Sequence, residues 1–230
     1  MRRHPLFFVP LFYLLMLSVA YAGLNEGEAA YGKGDYTKAY KEFRDLADQG
    51  NAAAQFFIGA MYELGNGVTQ DDEEALRWYR KAADQGNAAA QHNLGYMYVN
   101  GKGVIQDYAE ALKWYRKAAD QGNAAAQNAL GWLYGNGQGV SQDYTEAVKW
   151  YGKAAVQGNA FAQNNLGSMF VKGQGVPQNY VLAHMWFNLA AAQGNSDAQE
   201  SRDKLVGEMT TDQIAEAQRL ANEWKPEGKN

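Results

Sequence analysis

One phrase is written four times in this chain, and its period limits the fold more than any other feature. It runs Gln-Gly-Asn, then Ala-Gln, then Leu-Gly-x-Met-Tyr, then Gly-x-Gly-Val-x-Gln-Asp-Tyr, then Glu-Ala-x-x-Trp-Tyr-x-Lys-Ala-Ala, with small variations. Its first glycine falls at Gly50, Gly86, Gly122, Gly158 and Gly194, each 36 residues after the last. Trp78, Trp114, Trp150 and Trp186 keep that step, and so do Gly67, Gly103, Gly139 and Gly175. A fixed period of roughly 20–50 residues marks a stacked repeat, because one unit cannot bury its apolar face alone. Stacks of this kind present extended binding surfaces, which lowers the expectation of an enzyme.

Each copy reads as two helices. In the second, Ala90, Leu94, Met97 and Tyr98 are three or four apart between Asn87 and Tyr98. That spacing predicts an amphipathic helix, here called helix A. Gly101-Lys102-Gly103 breaks it. Asp107 opens helix B, and Glu110 stands three residues on, as Asp71/Glu74 and Asp143/Glu146 do in their copies. Asp-x-x-Glu predicts a capping-box-like start. Ala111, Trp114, Tyr115, Ala118 and Ala119 form the buried stripe of helix B, and Gly122 ends it in a left-handed conformation. Small residues at Ala90, Gly95, Ala111 and Ala118 leave room for Trp114 and Tyr115 between hairpins. Rings that recur at one position in every copy are expected in the core, since stacking demands that recurrence and ligand binding does not.

Both ends depart from the pattern, as the caps of a stack should. Residues 1–22 carry Arg2-Arg3, an apolar run from Leu6 to Val19 and Ala20-Tyr21-Ala22. This layout predicts a secretory signal peptide cleaved after Ala22, with an uncleaved anchor as the alternative. Residues 23–50 read as a capping half-repeat, with a short helix around Glu26 to Gly32 before Gly34-Asp35-Tyr36. Residues 51–86, 87–122, 123–158 and 159–194 are the four repeats. Residues 195–230 hold capping helices, one from about Thr211 to Trp224 behind a Thr210/Gln213 capping box, and a tail with Glu227 and Lys229 expected to fray.

Composition removes several chemistries. With no cysteine, disulfides, thiolate metal sites and a cysteine nucleophile are excluded. The net charge of −4, made more acidic by loss of Arg2 and Arg3, and the lack of a basic stripe argue against nucleic acid. His92 and His184 lie on different repeats without a second ligand at metal spacing, so no metal site is expected. The Gly-x-Gly loops follow no strand and precede no Gly-Lys-Ser/Thr, so they are hairpin turns and not phosphate cradles. Asp71-Asp72-Glu73-Glu74 lacks the spaced oxygens of a calcium loop and reads as a solvated helix start. No cofactor is expected.

The in-phase motifs Ala-x-Ala-Gln-x-x-Leu-Gly, Gly-x-Gly-Val and Ala-x-x-Trp-Tyr-x-Lys-Ala-Ala give the chain a family resemblance. So do the opening Gly34-Asp35-Tyr36 and the closing Met209-Thr210-Thr211-Asp212-Gln213-Ile214-Ala215. Over roughly residues 27–224 it resembles the bacterial Sel1-like repeat proteins, relatives of the tetratricopeptide repeats. The fourth copy departs modestly, with Leu182, Phe187 and Asn188-Leu189 suggesting a more apolar junction with the C-terminal helices. The resemblance implies an all-α, right-handed α-solenoid of stacked antiparallel helix hairpins, with the A helices lining the concave side. It also implies a scaffold for protein–protein contacts, and names no partner.

Positions that change between copies are free of packing. On helix A these are Phe56/Ala60/Glu63, His92/Tyr96/Val99, Asn128/Trp132/Gly135 and Asn164/Ser168/Val171, each triplet on one helix face. Phe56, His92, Tyr96, Val99, Asn128, Trp132, Asn164 and Ser168 are therefore the expected binding residues, with Tyr96 and Trp132 as anchors. The function expected is a non-catalytic scaffold, periplasmic or secreted, that binds a protein or peptide in the A-helix groove and keeps no membrane span after cleavage. Two alternatives stand beside it. One is a hydrolase acting on cell wall or β-lactams, disfavoured by the missing cysteines and catalytic constellation; the other is a secreted factor engaging a host protein.

Overall fold

The computed structural model describes residues 11–226, with side-chain surroundings from residue 22 onward. Every regular element among the described residues is helical. In chain order they are α1 (Leu11–Gly32), α2 (Tyr36–Asp48), α3 (Ala52–Leu64), α4 (Asp72–Asp84), α5 (Ala88–Asn100), α6 (Tyr108–Asp120) and α7 (Ala124–Asn136). Then come α8 (Tyr144–Val156), α9 (Ala160–Lys172), α10 (Tyr180–Ala192), α11 (Ser196–Leu205), a 3₁₀ turn (Val206–Glu208) and α12 (Thr211–Glu223). The fold is all-α and belongs to the α-solenoid class of stacked helix hairpins. The chain divides into two compact units, residues 1–90 with 102–104 and residues 91–101 with 105–230.

The same devices build the hairpins of each unit. Asparagine caps the A helices: the side chains of Asn51, Asn87, Asn123 and Asn159 accept from the backbone N–H three residues on. Asp71, Asp107 and Asp143 do the same for the B helices. The reciprocal half of the expected box is not what the glutamates make. Glu110 and Glu146 turn instead to Lys113 and Lys149, each at 2.8 Å, and Glu74 pairs with Arg77. A cation one turn along the helix offers the carboxylate a charged donor, and the backbone amide loses the competition. α12 does close its box, through Thr210 and Gln213, as the sequence predicts. After each B helix the chain turns at a glycine with φ near +90°, Gly122 among them.

Close packing accounts for the glycines within helix A. A Cβ on Gly59 would lie 2.7 Å from the Tyr79 ring in the first unit. In the second, Gly95, Gly131 and Gly167 would bring one to 2.7, 2.5 and 2.7 Å from the rings of Tyr115, Tyr151 and Phe187. The tryptophans are core, as expected: Trp78, Trp114, Trp150 and Trp186 are all buried. Stacking of successive B helices adds a cation over two of them, Arg44 at 5.0 Å from the Trp78 ring and Arg116 at 4.8 Å from that of Trp150. The turn glycines have a second reason to be invariant. Gly139 (φ +68°) would set a Cβ 2.4 Å from the backbone of Tyr108, at the start of the preceding B helix.

At the N-terminus α1 is longer than the short helix expected around residues 26–32. Its later part packs on α2: a Cβ on Gly27 would fall 2.4 Å from the Phe43 ring, and Leu24, Ala30 and Tyr31 join the same core. Residues 1–10 of the expected signal segment, and the expected frayed tail at Glu227 and Lys229, lie outside the described residues. No helix among the described residues is long and apolar enough to cross a membrane. At the other end Leu220 and Trp224 pack on the cluster around Trp186, which bears out the apolar junction.

Candidate functional site

Two of the eight expected binding residues stand out by exposure. Tyr96 on α5 and Trp132 on α7 occupy the same repeat position, and their large side chains are 40% and 41% exposed. Each is a large, partly exposed ring, where its in-phase neighbours Ala60 and Ser168 are small. Trp132 is partly supported from below: the Tyr108 ring lies 6.4 Å away, tilted by 41°. Tyr108 is positioned in turn by Gln106, whose amide donates to the Tyr108 hydroxyl at 3.1 Å and to the Val99 carbonyl at 2.6 Å.

The remaining residues are half-buried and more engaged than free positions would be. His92 lies with its ring 5.6 Å from that of Tyr115 and its Nδ1 3.0 Å from the Asn93 side-chain oxygen. Asn128 accepts from Asn165 of α9 at 3.0 Å, which joins α7 to α9 on this face. Ser168 donates to the Asn164 carbonyl at 3.1 Å. Asn164 keeps its side-chain oxygen buried without a hydrogen-bond partner. Phe56 belongs to the first unit, with its ring 5.8 Å from Tyr79 and 5.5 Å from Phe57. It is part of that unit's aromatic packing. The second-unit residues thus lie on the A helices α5, α7 and α9, and Phe56 lies on α3 of the first unit.

The face has an electrostatic character of its own. Neither α5 nor α7 contains a charged residue, and α9 has only Lys172 in its last turn. Its polar groups are amides, hydroxyls and one imidazole, suited to neutral hydrogen-bonding partners and not to ions. Burial raises the Tyr115 hydroxyl well above its ordinary range, with nearby Tyr96 adding to the shift, so the Tyr115 phenol stays neutral across physiological pH. His184 lies elsewhere, buried on α10. Burial pushes its pKa down and the Arg202 charge pushes it further, so it is neutral at pH 7. No cluster of His, Asp and Glu able to hold a metal occurs among the described residues.

A polar ladder escaped the sequence reading. Gln55, Gln91, Gln127 and Gln163, the glutamines of Ala-Gln, are all buried. Each accepts from the glutamine of the following Gln-Gly-Asn, Gln85, Gln121, Gln157 and Gln193, at 2.7 to 2.9 Å. Gln55, Gln127 and Gln163 also donate, at 3.1 Å, to the carbonyls of Ala47, Ala119 and Ala155. Their invariance in all four copies, unusual for a polar residue on a packed helix, was the available signal.

Known proteins place this architecture. Residues 52–87, 88–123, 124–159 and 160–195 each match the Sel1 repeat. The chain belongs to the Sel1 repeat family. Sel1 repeat proteins generally mediate protein–protein interaction and are typically non-catalytic scaffolds. Among solved structures, this Sel1 chain is similar to a protective antigen of uropathogenic Escherichia coli strains that displays an SLR fold. The two share 34% identity with a TM-score of 0.76, over 89% of this chain and 46% of that one. The Sel1 chain therefore spans less than half of that relative. It is also similar to a Sel1 repeat protein from Oxalobacter formigenes, at 33% identity and a TM-score of 0.74, covering 88% and 85% of the two chains. An immunity protein from Pseudomonas aeruginosa resembles it at 26% identity and a TM-score of 0.55, over 89% and 79%. No curated protein matches.

Proposed function

We propose that this Sel1 repeat chain is an exported, non-catalytic scaffold that holds a protein or peptide partner on the exposed face of α5, α7 and α9. One observation carries the reading: two rings at the same repeat position, Tyr96 and Trp132, stay about two-fifths exposed on helices that carry no charge. Exposed aromatics bring large contact area at low conformational cost, and they dominate the energetics of many interfaces. The half-buried amides of Asn128 and Asn164 supply hydrogen-bonding groups at the edge of the patch.

Export is part of the proposal and rests on Arg2-Arg3, the apolar run and Ala20-Tyr21-Ala22. Among the residues whose side-chain surroundings are described, the α1 residues that pack on α2, from Gly23 and Leu24 to Tyr31, follow Ala22, which fits cleavage there. Sequencing the N-terminus of the exported protein tests this: Gly23 is expected, and Met1 in a membrane fraction contradicts it.

The binding reading is tested by the double change Tyr96→Ala, Trp132→Ala. Thermal unfolding should stay close to wild type, while retention of the protein that the wild type holds in its own envelope is lost. An unfolded variant would assign the rings to the core. Undiminished retention would move the binding surface elsewhere. The likeness to a protective antigen favours a second reading, in which the partner is a host protein held by the same face; capture from envelope against capture from host extract separates the two.

A further inference from the structure

A cavity of about 410 Å³ opens between α9, α10, α11 and the 3₁₀ turn. Its apolar wall is Val171, Tyr180, Phe187 and Leu205, with Ser168 and Lys204 among its polar residues. The volume lies in the range of roughly 300–1,000 Å³ usual for ligand sites. The repeat explains why it is there. Tyr180 is the in-phase counterpart of Tyr108, and its platform is built the same way. Gln178 donates to the Val171 carbonyl at 2.9 Å and to the Tyr180 hydroxyl at 3.3 Å, as Gln106 does for Val99 and Tyr108. Over Tyr108 lies the indole of Trp132. The residue in phase with Trp132 at the last junction is Lys204, and its ammonium turns away to Glu200 at 2.5 Å. Ser168, the other in-phase position on this cavity, is too small to replace a ring.

We propose that this cavity is an aromatic side-chain subsite, where a ring from the bound partner packs against Tyr180 as the tilted Trp132 ring packs against Tyr108. This rests on the reading of the A-helix face as a partner-binding surface, and names one anchor the partner must carry. Charge favours a neutral ring. Lys204 is neutralised by Glu200, and the other charged groups at the rim, Lys172 and Glu208, are opposite in sign. The rim therefore selects neither an anion nor a cation, while the wall offers the half-buried Tyr180 and Val171, backed by Phe187 and Leu205, to an apolar ring. Hydroxyls of Ser168 and Ser201 at the rim can accept from an indole N–H or bond a phenol.

The test uses 5-fluoroindole as the probe and the full chain, read by fluorine NMR. Saturable binding is expected for the wild type. Lys204→Trp, which supplies the missing ring, should abolish it, and so should Ser168→Trp, which plugs the cavity from α9. Tyr180→Ala should weaken binding about two- to tenfold, the range expected for loss of one ring pair. Phe161→Ala, which removes a more exposed ring of α9, should leave it unchanged, which excludes simple stacking on an exposed ring. Thermal unfolding of each variant keeps misfolding apart from a plugged site. No saturable binding to the wild type, or equal binding to Lys204→Trp and Ser168→Trp, overturns the subsite. Retention of the partner by the Tyr96 and Trp132 rings is a separate measurement, so failure here leaves that reading to stand or fall alone.

Discussion

Helices α5 and α7 and helices α6 and α8 come from the same repeats and have equal lengths, yet their surfaces are opposites. The first pair carries no charge at all. The second carries Glu110, Lys113, Arg116, Lys117 and Asp120 on α6 and Glu146, Lys149 and Lys153 on α8. Many of those charges are already occupied: Glu110 with Lys113, Glu146 with Lys149, Lys117 over the Trp114 ring at 3.9 Å, and Lys153 over that of Trp150 at 4.2 Å. A surface whose charges are paired and hydrated gains little by meeting a partner, because desolvation offsets what new contacts add. A surface of exposed rings and neutral amides has apolar area still to bury. On the proposed reading, the A helices are the recognition side of these hairpins and the B helices the solvated side.

The buried sides of both helix types hold the fold, so the largest expected effects lie there. Trp114→Ala on α6 should cost roughly 3–5 kcal/mol in chemical denaturation. A loss under about 1 kcal/mol, the scale of an ordinary surface change, would show that Trp114 is not core. On the A side, Gln127→Ala removes one rung of the ladder with its two hydrogen bonds, while the Ala119 carbonyl keeps the Gly122 N–H and the Gln157 amide keeps the Lys153 carbonyl. A cost of about 1–3 kcal/mol is expected, measured the same way.

A smaller effect concerns pH. His184 has a lowered pKa because burial and Arg202 disfavour its charged form. As pH falls below about 6.5, the usual value in an unfolded chain, the unfolded state takes up a proton that the folded state refuses. Stability should fall with pH from there until the folded pKa is passed. His184→Asn should flatten the denaturation midpoint between pH 7 and 5 relative to wild type; an unchanged slope would assign the acid sensitivity to other groups. Least of all, Lys113→Ala breaks an exposed ion pair and should change stability by less than about 1 kcal/mol. A large loss would mean that the B-face charges are structural and not merely solvated.

The fold was legible because the period exposes it. Helix positions, the helix start at Asp107, the buried tryptophans and the Thr210/Gln213 box all follow from residues that recur or signal locally. The exposure of Tyr96 and Trp132 was legible, because a ring stands there in a variable position. The half-buried setting of Phe56 beside Phe57 and Tyr79 was less so, because variability alone does not tell a contacted ring from a free one. The glutamine ladder was hidden because a polar residue on a helix reads as surface until its partner thirty residues on is brought beside it. The Tyr180 cavity was hidden for a related reason: what matters there is a ring that the sequence lacks, and absence shows only when the backbone places Ser168, Tyr180 and Lys204 around one space.

The most direct test of the two-sided account is site-specific photocrosslinking in the living cell. A benzophenone amino acid is placed at position 96 or 132 on the A side, and at 113 or 149 on the B side. The account predicts one shared adduct from 96 and 132, identical in mass, and none from 113 or 149. Adducts from 113 and 149 alone, or equally from both sides, would contradict it.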